Sequence, residues 1–180
     1  MARQRLPKPE TRNPKPMTIH RIGLGFDIHR IESDPASGAG VMLGGVRVPC
    51  PWRVIAHSDG DVVLHALCDA LLGAVAAGDL GEHFPDHDAA HRGRDSAWFV
   101  ERVLALPQLA GWRLGNIDVN VIAETPRLMP HKPAIRARVA ALLRLPADVV
   151  SIKARSHEGV DAIGDKRAIA AQAVVLIQCT

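Results

Sequence analysis

Tyrosine is missing from this 180-residue chain, and phenylalanine and tryptophan occur only three times each. A core must therefore come from Ala, Val, Leu and Ile, within a 47% apolar content that is ordinary for a globular protein. Cysteine is as scarce: Cys50, Cys68 and Cys179 form no Cys-x-x-Cys pair, and their odd number suits no disulfide framework. They read as small hydrophobes in a reducing compartment. No apolar run reaches the roughly 18 residues of a membrane span, and the N-terminus carries no hydrophobic signal core. Charge of one sign is lacking too. The net charge of +3 traces to the first 18 residues, where Arg3, Arg5, Lys8, Arg12 and Lys15 face the single acid Glu10. Beyond them the chain is nearly neutral and has no basic stripe interleaved with aromatics. These absences predict a cytoplasmic protein with neither a nucleic acid nor a membrane as partner.

The length suits one domain, and no internal repeat suggests two. Residues 1–18 are expected to form a disordered, basic, Pro-rich tail, since four prolines fall in the first 16 positions and almost nothing there can be buried. Met17 is an alternative start. Residues 19–180 are expected to fold as the domain. Strands are predicted over His20–Phe26 and over Val41–Val48, with Gly44-Gly45 marking a bulge or a close backbone approach. Asp61–Ala77 is predicted as a helix whose apolar face carries Val63, Leu67, Ala70, Leu71 and Ala74. Ser58 is its expected N-cap, with Asp61 in a capping-box-like position and Gly78 as the stop. Helices over Asp95–Ala105 and Pro133–Leu143, and strands over Ile117–Ala123, Val149–Ala154 and Ile169–Ile177, complete the order β-β-α-α-β-α-β-β. That order predicts an α+β sandwich with helices on one face of a mixed sheet.

Asp27 and His29 close the first strand, and residues two apart in an extended chain point to one side. His65 projects from the first helix. One Asp and two His make a sensible first shell for zinc, leaving a fourth tetrahedral position open. His57-Ser58-Asp59-Gly60-Asp61 precedes that helix, where free N–H groups and the helix dipole favour an anion. Asp69, one turn beyond His65, is either its partner through the second ring nitrogen or a solvated position. The loop holding Asp79, Asp86 and Asp88 is either a solvated connection or a grip for sugar hydroxyls.

Together, HSDGDVVLHAL, GDLGEHFPD, AETPRLMPH and IKARSHEG, with GFDIHRI and LGGVRVP before them, resemble the 2-C-methyl-D-erythritol 2,4-cyclodiphosphate synthase family over about residues 19–178. The resemblance implies a ferredoxin-like subunit, with a mixed four-stranded sheet plus a hairpin, that assembles as a homotrimer with sites between subunits. It implies that Asp27, His29 and His65 bind a divalent metal, usually zinc, with manganese or cobalt as substitutes. It places His57 and Ser58 on the substrate diphosphate, and Ser156 where a threonine stabilises the transition state. Glu158 stands where a carboxylate holds magnesium. Asp79, Leu80 and Gly81, then Phe84, Pro85, Asp86 and Asp88, match the sugar-binding and adjoining substrate loop. Ala123, Thr125, Pro126, Arg127, Leu128 and Met129 match the loop enclosing cytosine. Arg155 either adds a cation near the phosphates or is a surface residue, and His157 is a further candidate for substrate binding.

The implied reaction belongs to the non-mevalonate route to isoprenoids. The 2-phosphate of 4-diphosphocytidyl-2-C-methyl-D-erythritol 2-phosphate attacks the β-phosphorus of its own diphosphate, and CMP leaves. Such phosphoryl transfer needs alignment and charge neutralisation rather than a nucleophilic side chain. The chain has no room for a fused cytidylyltransferase domain. Two readings compete: a zinc-dependent phosphohydrolase, and a nucleotide-binding trimer that has lost catalysis. The second draws on one departure, Gly164-Asp165-Lys166-Arg167-Ala168, where an acid occupies the place of the family's usual arginine. Ala162 likewise replaces an aromatic found in some members, and Ser156 for threonine keeps the hydroxyl.

Overall fold

A computed structural model describes residues 17–35, 40–85, 88–91 and 93–179. The expected tail therefore lies, up to residue 16, outside the described residues, and so does Asp86.

The chain opens with a long strand, β1 (Ile19–Ser33), followed by the short strands β2 (Val41–Leu43), β3 (Val46–Val48) and β4 (Trp52–Ile55). Then come α1 (Val62–Ala74), the one-turn α2 (Leu80–His83), α3 (Ser96–Leu104), β5 (Arg113–Ile122), α4 (Lys132–Leu142), β6 (Val150–Arg155), the one-turn α5 (Asp161–Gly164) and β7 (Ala168–Cys179). The main sheet has the order β4-β1-β7-β5-β6. β1 runs antiparallel to β4 and β7, β5 antiparallel to β7 and parallel to β6. The expected mixed sheet gains a fifth strand, because Trp52–Ile55 pairs with the last residues of β1. The single strand expected over Val41–Val48 is a hairpin instead. Gly44 and Gly45 take φ of 61° and 73°, a pair of left-handed residues that makes a tight turn and not a bulge.

α1 is buried nearly all round, because the sheet lies under it and α3 and β2 pack on its other sides. Its seat on β1 depends on two glycines. A Cβ on Gly23 would lie 1.8 Å from the Ala70 carbonyl oxygen, and one on Gly25 1.9 Å from that of Ala66. Any side chain there would push the helix off the strand. The backbones meet directly, two residues before Asp27 and one residue after His65.

Ser58 does not cap this helix. The N-cap is Asp61, fully buried, whose Oδ1 accepts from the N–H groups of Val63 (3.0 Å) and Leu64 (3.1 Å). Its carboxylate also accepts from Gly44 (2.8 Å) and Gly45 (2.6 Å), tying the hairpin turn to the helix start. Burial pushes the Asp61 pKa up, against the pull of these N–H groups. Nor does Gly78 stop the helix, which ends at Ala74 with Ala76 already left-handed at φ 53°.

Among the described residues, the opposite face of the sheet is covered only where α5 packs Ile163 on Ile122, Ala168 and Ala170, and is bare elsewhere. Ile22, Leu24, Phe26 and Ile28, alternating with the inward residues of β1, are 46–70% exposed, and Val174 on β7 continues the apolar surface. Among the described residues no helix is long and apolar enough to cross a membrane.

Candidate active site

Strand alternation aims Asp27 and His29 toward α1, and the close approach at Gly25 brings His65 down to meet them. Asp27 Oδ2 lies 3.0 Å from His65 Nδ1 and 3.2 Å from His29 Nε2, and the two nitrogens are 3.3 Å apart. All three side chains are mostly buried, at 13–22% exposure. Burial favours neutral Asp27, but hydrogen bonds and charge from His29 and His65 outweigh it and hold the carboxyl well below its usual range. Burial likewise opposes a charged His65, yet its hydrogen bond to Asp27 wins and raises the pKa.

The other ring nitrogen of His65 does not reach Asp69. Asp69 Oδ1 accepts from the N–H of Leu80 at 2.8 Å, holding the start of α2, and burial raises its pKa. The neighbour of His65 Nε2 is Ser96 Oγ at 2.9 Å, with Ser58 Oγ at 3.3 Å. Ser96 in turn hydrogen-bonds Asp59. Neither Ser96 nor Asp59 was assigned a role from sequence. The only local signal is the cap of α3, where Asp95 accepts from Ala97 N–H and leaves Ser96 as the first helical residue. Nothing in the chain's order says that α3 starts against His65.

The triad opens into a cavity of about 420 Å³, lined also by His57, Ser58, Asp69, Asp79, Leu80, Gly81, Phe84, His91 and Phe99. His57 is exposed at its edge. Asp79 caps α2 by accepting from Glu82 N–H at 2.9 Å. Pro85 and Asp88 line neither this cavity nor the next. Asp88 instead sits 3.6 Å from His91.

A second cavity, about 380 Å³, lies between the segments that follow β5 and β6. Ala123, Glu124, Pro126, Arg127, Leu128, Met129, Lys132, Ala154, Arg155 and Ser156 line it. Thr125 belongs to the same loop and precedes Pro126 through a cis peptide bond. Ser156 Oγ donates to Glu158 Oε1 at 2.5 Å. His157 turns instead to Asp161, 2.8 Å away. The register aligns Asp27 with Ala171, Val121 and Ala154 across the sheet. β1 and β6 are three strand spacings apart, about 14 Å. The two cavities thus sit on opposite edges of one sheet and share no lining residue.

In the divergent segment, Arg167 reaches Asp165 at 2.9 Å, so the inverted charge is internally paired. Ala162 packs against the small cluster of Ile122, Ile163, Ala168 and Ala170.

An α+β domain with an Asp-His-His cluster on the seam of strand and helix, facing a polar cavity, defines a candidate metalloenzyme of small-molecule chemistry. The sequence profile of the YgbB family matches residues 20–178, and the chain belongs to that family. A protein of Xanthomonas axonopodis pv. citri named 2-C-methyl-D-erythritol 2,4-cyclodiphosphate synthase is 51% identical over 157 residues, covering 87% of this chain and 92% of the relative. Among solved structures, IspF of Plasmodium falciparum in complex with CDP superposes with a TM-score of 0.75 at 33% identity, covering 88% of this chain and 95% of that one. The bifunctional IspDF of Campylobacter jejuni gives a TM-score of 0.80 at 32% identity over 92% of this chain, which spans 44% of that longer protein. These relatives support the synthase and lend nothing to the phosphohydrolase or to the non-catalytic trimer.

Proposed function

We propose that the chain, as a lyase of the non-mevalonate isoprenoid pathway, converts 4-diphosphocytidyl-2-C-methyl-D-erythritol 2-phosphate to 2-C-methyl-D-erythritol 2,4-cyclodiphosphate and CMP. A 2-phosphate oxygen forms a bond to the β-phosphorus. The bond from that phosphorus to the bridging oxygen breaks, and its electron pair leaves on the α-phosphate of CMP. The carrying observation is the triad. Its three ligand atoms form a triangle of 3.0–3.3 Å sides, close to the separation of about 3.3 Å between neighbouring ligands of a tetrahedral zinc ion. Asp27, His29 and His65 would hold zinc, which would supply Lewis-acid polarisation of a phosphate oxygen.

The chain's own groups do the rest. His57 and Ser58 at the cavity edge hydrogen-bond the diphosphate and orient it. Asp79 and the backbone at Leu80 and Gly81 accept the sugar hydroxyls, while Phe84 shields them from water. On the other edge, the loop from Ala123 to Met129 encloses the cytosine. Arg155 and the Ser156 hydroxyl meet the phosphates, and Glu158 holds the magnesium that accompanies the diphosphate. Pro85, Asp86, Asp88 and His157 have the weaker claim to contact substrate. Residues 19–180 form the catalytic domain of a cytoplasmic bacterial enzyme.

We propose that the chain assembles as a homotrimer, a reading the same layout supports. The bare apolar row of β1 needs a cover, and half-sites on opposite edges of a sheet meet when copies pack side by side. Sedimentation equilibrium is expected to give three chains. Incubation of the protein with substrate and magnesium, followed by phosphorus NMR, is expected to yield cyclic diphosphate and CMP in equal amounts, lost on zinc chelation and restored by zinc. Inorganic phosphate as product would identify a hydrolase, and nucleotide binding without turnover a protein that has kept only the pocket.

A further inference from the structure

We infer that Asp59 and Ser96 form a hydrogen-bond relay that fixes which ring nitrogen of His65 presents its lone pair to the metal, an inference that rests on Asp27, His29 and His65 being the ligands. Ser96 is wholly buried at the first residue of α3. Its Oγ lies 2.9 Å from His65 Nε2 and makes a short hydrogen bond to Asp59 Oδ1. A hydroxyl has one proton and a carboxylate only acceptors. The Ser96 proton therefore goes to Asp59, and toward His65 the Ser96 oxygen can only accept. Nε2 must carry the hydrogen, which leaves the lone pair of the neutral ring on Nδ1. That nitrogen is the one 3.0 Å from Asp27 Oδ2 and 3.3 Å from His29 Nε2.

The relay is needed because Asp27 pulls the other way. A proton on Nδ1 would be welcomed by the Asp27 carboxylate and would block the lone pair the metal needs. Outer groups that hold the far nitrogen of a ligating histidine settle this contest. The Asp59 carboxylate cannot turn to evade its part, since Oδ2 also accepts the Ser96 N–H at 3.0 Å and Oδ1 accepts that of Asp61 at 3.3 Å. Ser58 Oγ lies farther from Nε2 and accepts the N–H of Gly60 at 3.1 Å. No carboxylate claims its proton among the described residues, so it imposes no direction.

Asp59→Asn makes a sharper test than Ser96→Ala. The new amide must set its NH₂ either against the Ser96 N–H at 3.0 Å or against the Ser96 hydroxyl and the longer Asp61 N–H contact at 3.3 Å; the second is the milder conflict, because the hydroxyl can turn round. Turned, it donates to Nε2 and demands the wrong ring form. Zinc affinity would be measured by competition with a fluorescent chelator in wild type, Ser96→Ala, Asp59→Asn, Ser58→Ala and His29→Ala. Nitrogen-15 NMR of the metal-free proteins at alkaline pH would report the His65 ring form. Ser96→Ala is expected to weaken zinc about 10- to 100-fold, Asp59→Asn at least as much, and both to shift His65 toward the Nδ1–H form. Ser58→Ala should leave the ring form alone. Unchanged affinity in both relay variants, with His29→Ala still losing zinc, overturns the relay and spares the metal site. Weakened affinity with an unchanged ring form reduces Ser96 to a packing residue and also overturns it. If wild type binds zinc no better than His29→Ala, the metal reading itself fails.

Discussion

The two cavities of this sheet differ in how much of their hydrogen bonding the chain settles by itself. Around the first, Asp27, His65, Asp59, Ser96 and Asp61 all have partners, and they sit on β1, on α1 or against their ends. Around the second, Glu124 Oε2 is buried with no partner among the described residues. Met129 there is 68% exposed, and the Ser156–Glu158 pair stands in solvent. The first cavity also keeps one buried group without a partner among the described residues, His91 Nδ1, but its Asp-His-His core is settled by the chain itself. The second is loop-borne and leaves an acceptor open at its centre, as expected where a ligand or a neighbouring subunit supplies the missing donor.

The strongest way to break this contrast is at the built half. His29→Ala removes one corner of the ligand triangle and is expected to cut kcat by roughly a thousandfold or more, a loss of at least about 4 kcal/mol of transition-state stabilisation. The Tm of the metal-free protein should drop only modestly: Asp27 loses the His29 contact that helps keep its carboxyl charged, but His65 remains. Turnover within tenfold of wild type would show that the first cavity is not the reaction centre.

Asp61 tests the same half through folding. Its carboxylate serves four N–H groups from two elements, three of them buried and that of Gly45 part-buried, so Asp61→Ala strands them. A loss on the order of 3–4 kcal/mol in urea unfolding is expected, beyond the usual cost of an N-cap. A loss below about 1 kcal/mol would mean that water replaces the carboxylate and that the helix start is less fixed than its geometry implies.

At the open half, Ser156→Ala is expected to lower kcat about a hundredfold, the scale of one lost transition-state donor, with KM little changed. Ser156→Thr should stay within a few-fold, because the hydroxyl survives. Equal loss in both variants would point to crowding and not to hydrogen bonding.

The sequence made the built half only partly legible. Alternation on β1 pairs Asp27 with His29, a local signal, but His65 on the helix thirty-six residues later was one candidate third ligand among nine histidines, and the resemblance to a family singled it out. The helix itself was plain from its apolar spacing, but its cap was not. Ser58 and Asp61 are both capping types, and the choice was made by Gly60, whose φ of 70° turns the chain so that Asp61 meets the first N–H groups. The role of Asp69 misled for a related reason. Sharing a helix face with His65 does not bring the two into contact when a nearer N–H, that of Leu80, claims the carboxylate. Ser96 was invisible because its contact with His65 exists only through the packing of α3 on α1. β4 escaped notice as four residues close behind a proline, paired only to the far end of β1. The second half-site offered no periodicity or metal pattern at all, and only resemblance to a family drew attention to Ala123–Met129, Ser156 and Glu158.

The smallest expected effect lies beneath the open half. On the bare face of β5 and β6, Lys153 Nζ donates to Asp118 Oδ2 at 2.6 Å, both side chains being about 40% exposed. The Lys153 ammonium holds the Asp118 pKa below its ordinary value, against a weaker opposing push from burial. An acid with a lowered folded-state pKa contributes stability above the ordinary value, near 4, and loses it as pH falls through the lowered one. Lys153→Met should therefore cost less than about 1 kcal/mol at neutral pH, less still in high salt, and nothing in strong acid. That holds only while the face is wet. Under a neighbouring subunit the same substitution would strand a buried carboxylate, raising the cost to roughly 3–5 kcal/mol and removing the salt dependence. Urea unfolding of the two proteins in low and high salt would therefore read out whether Asp118 lies in water or beneath another copy of the chain.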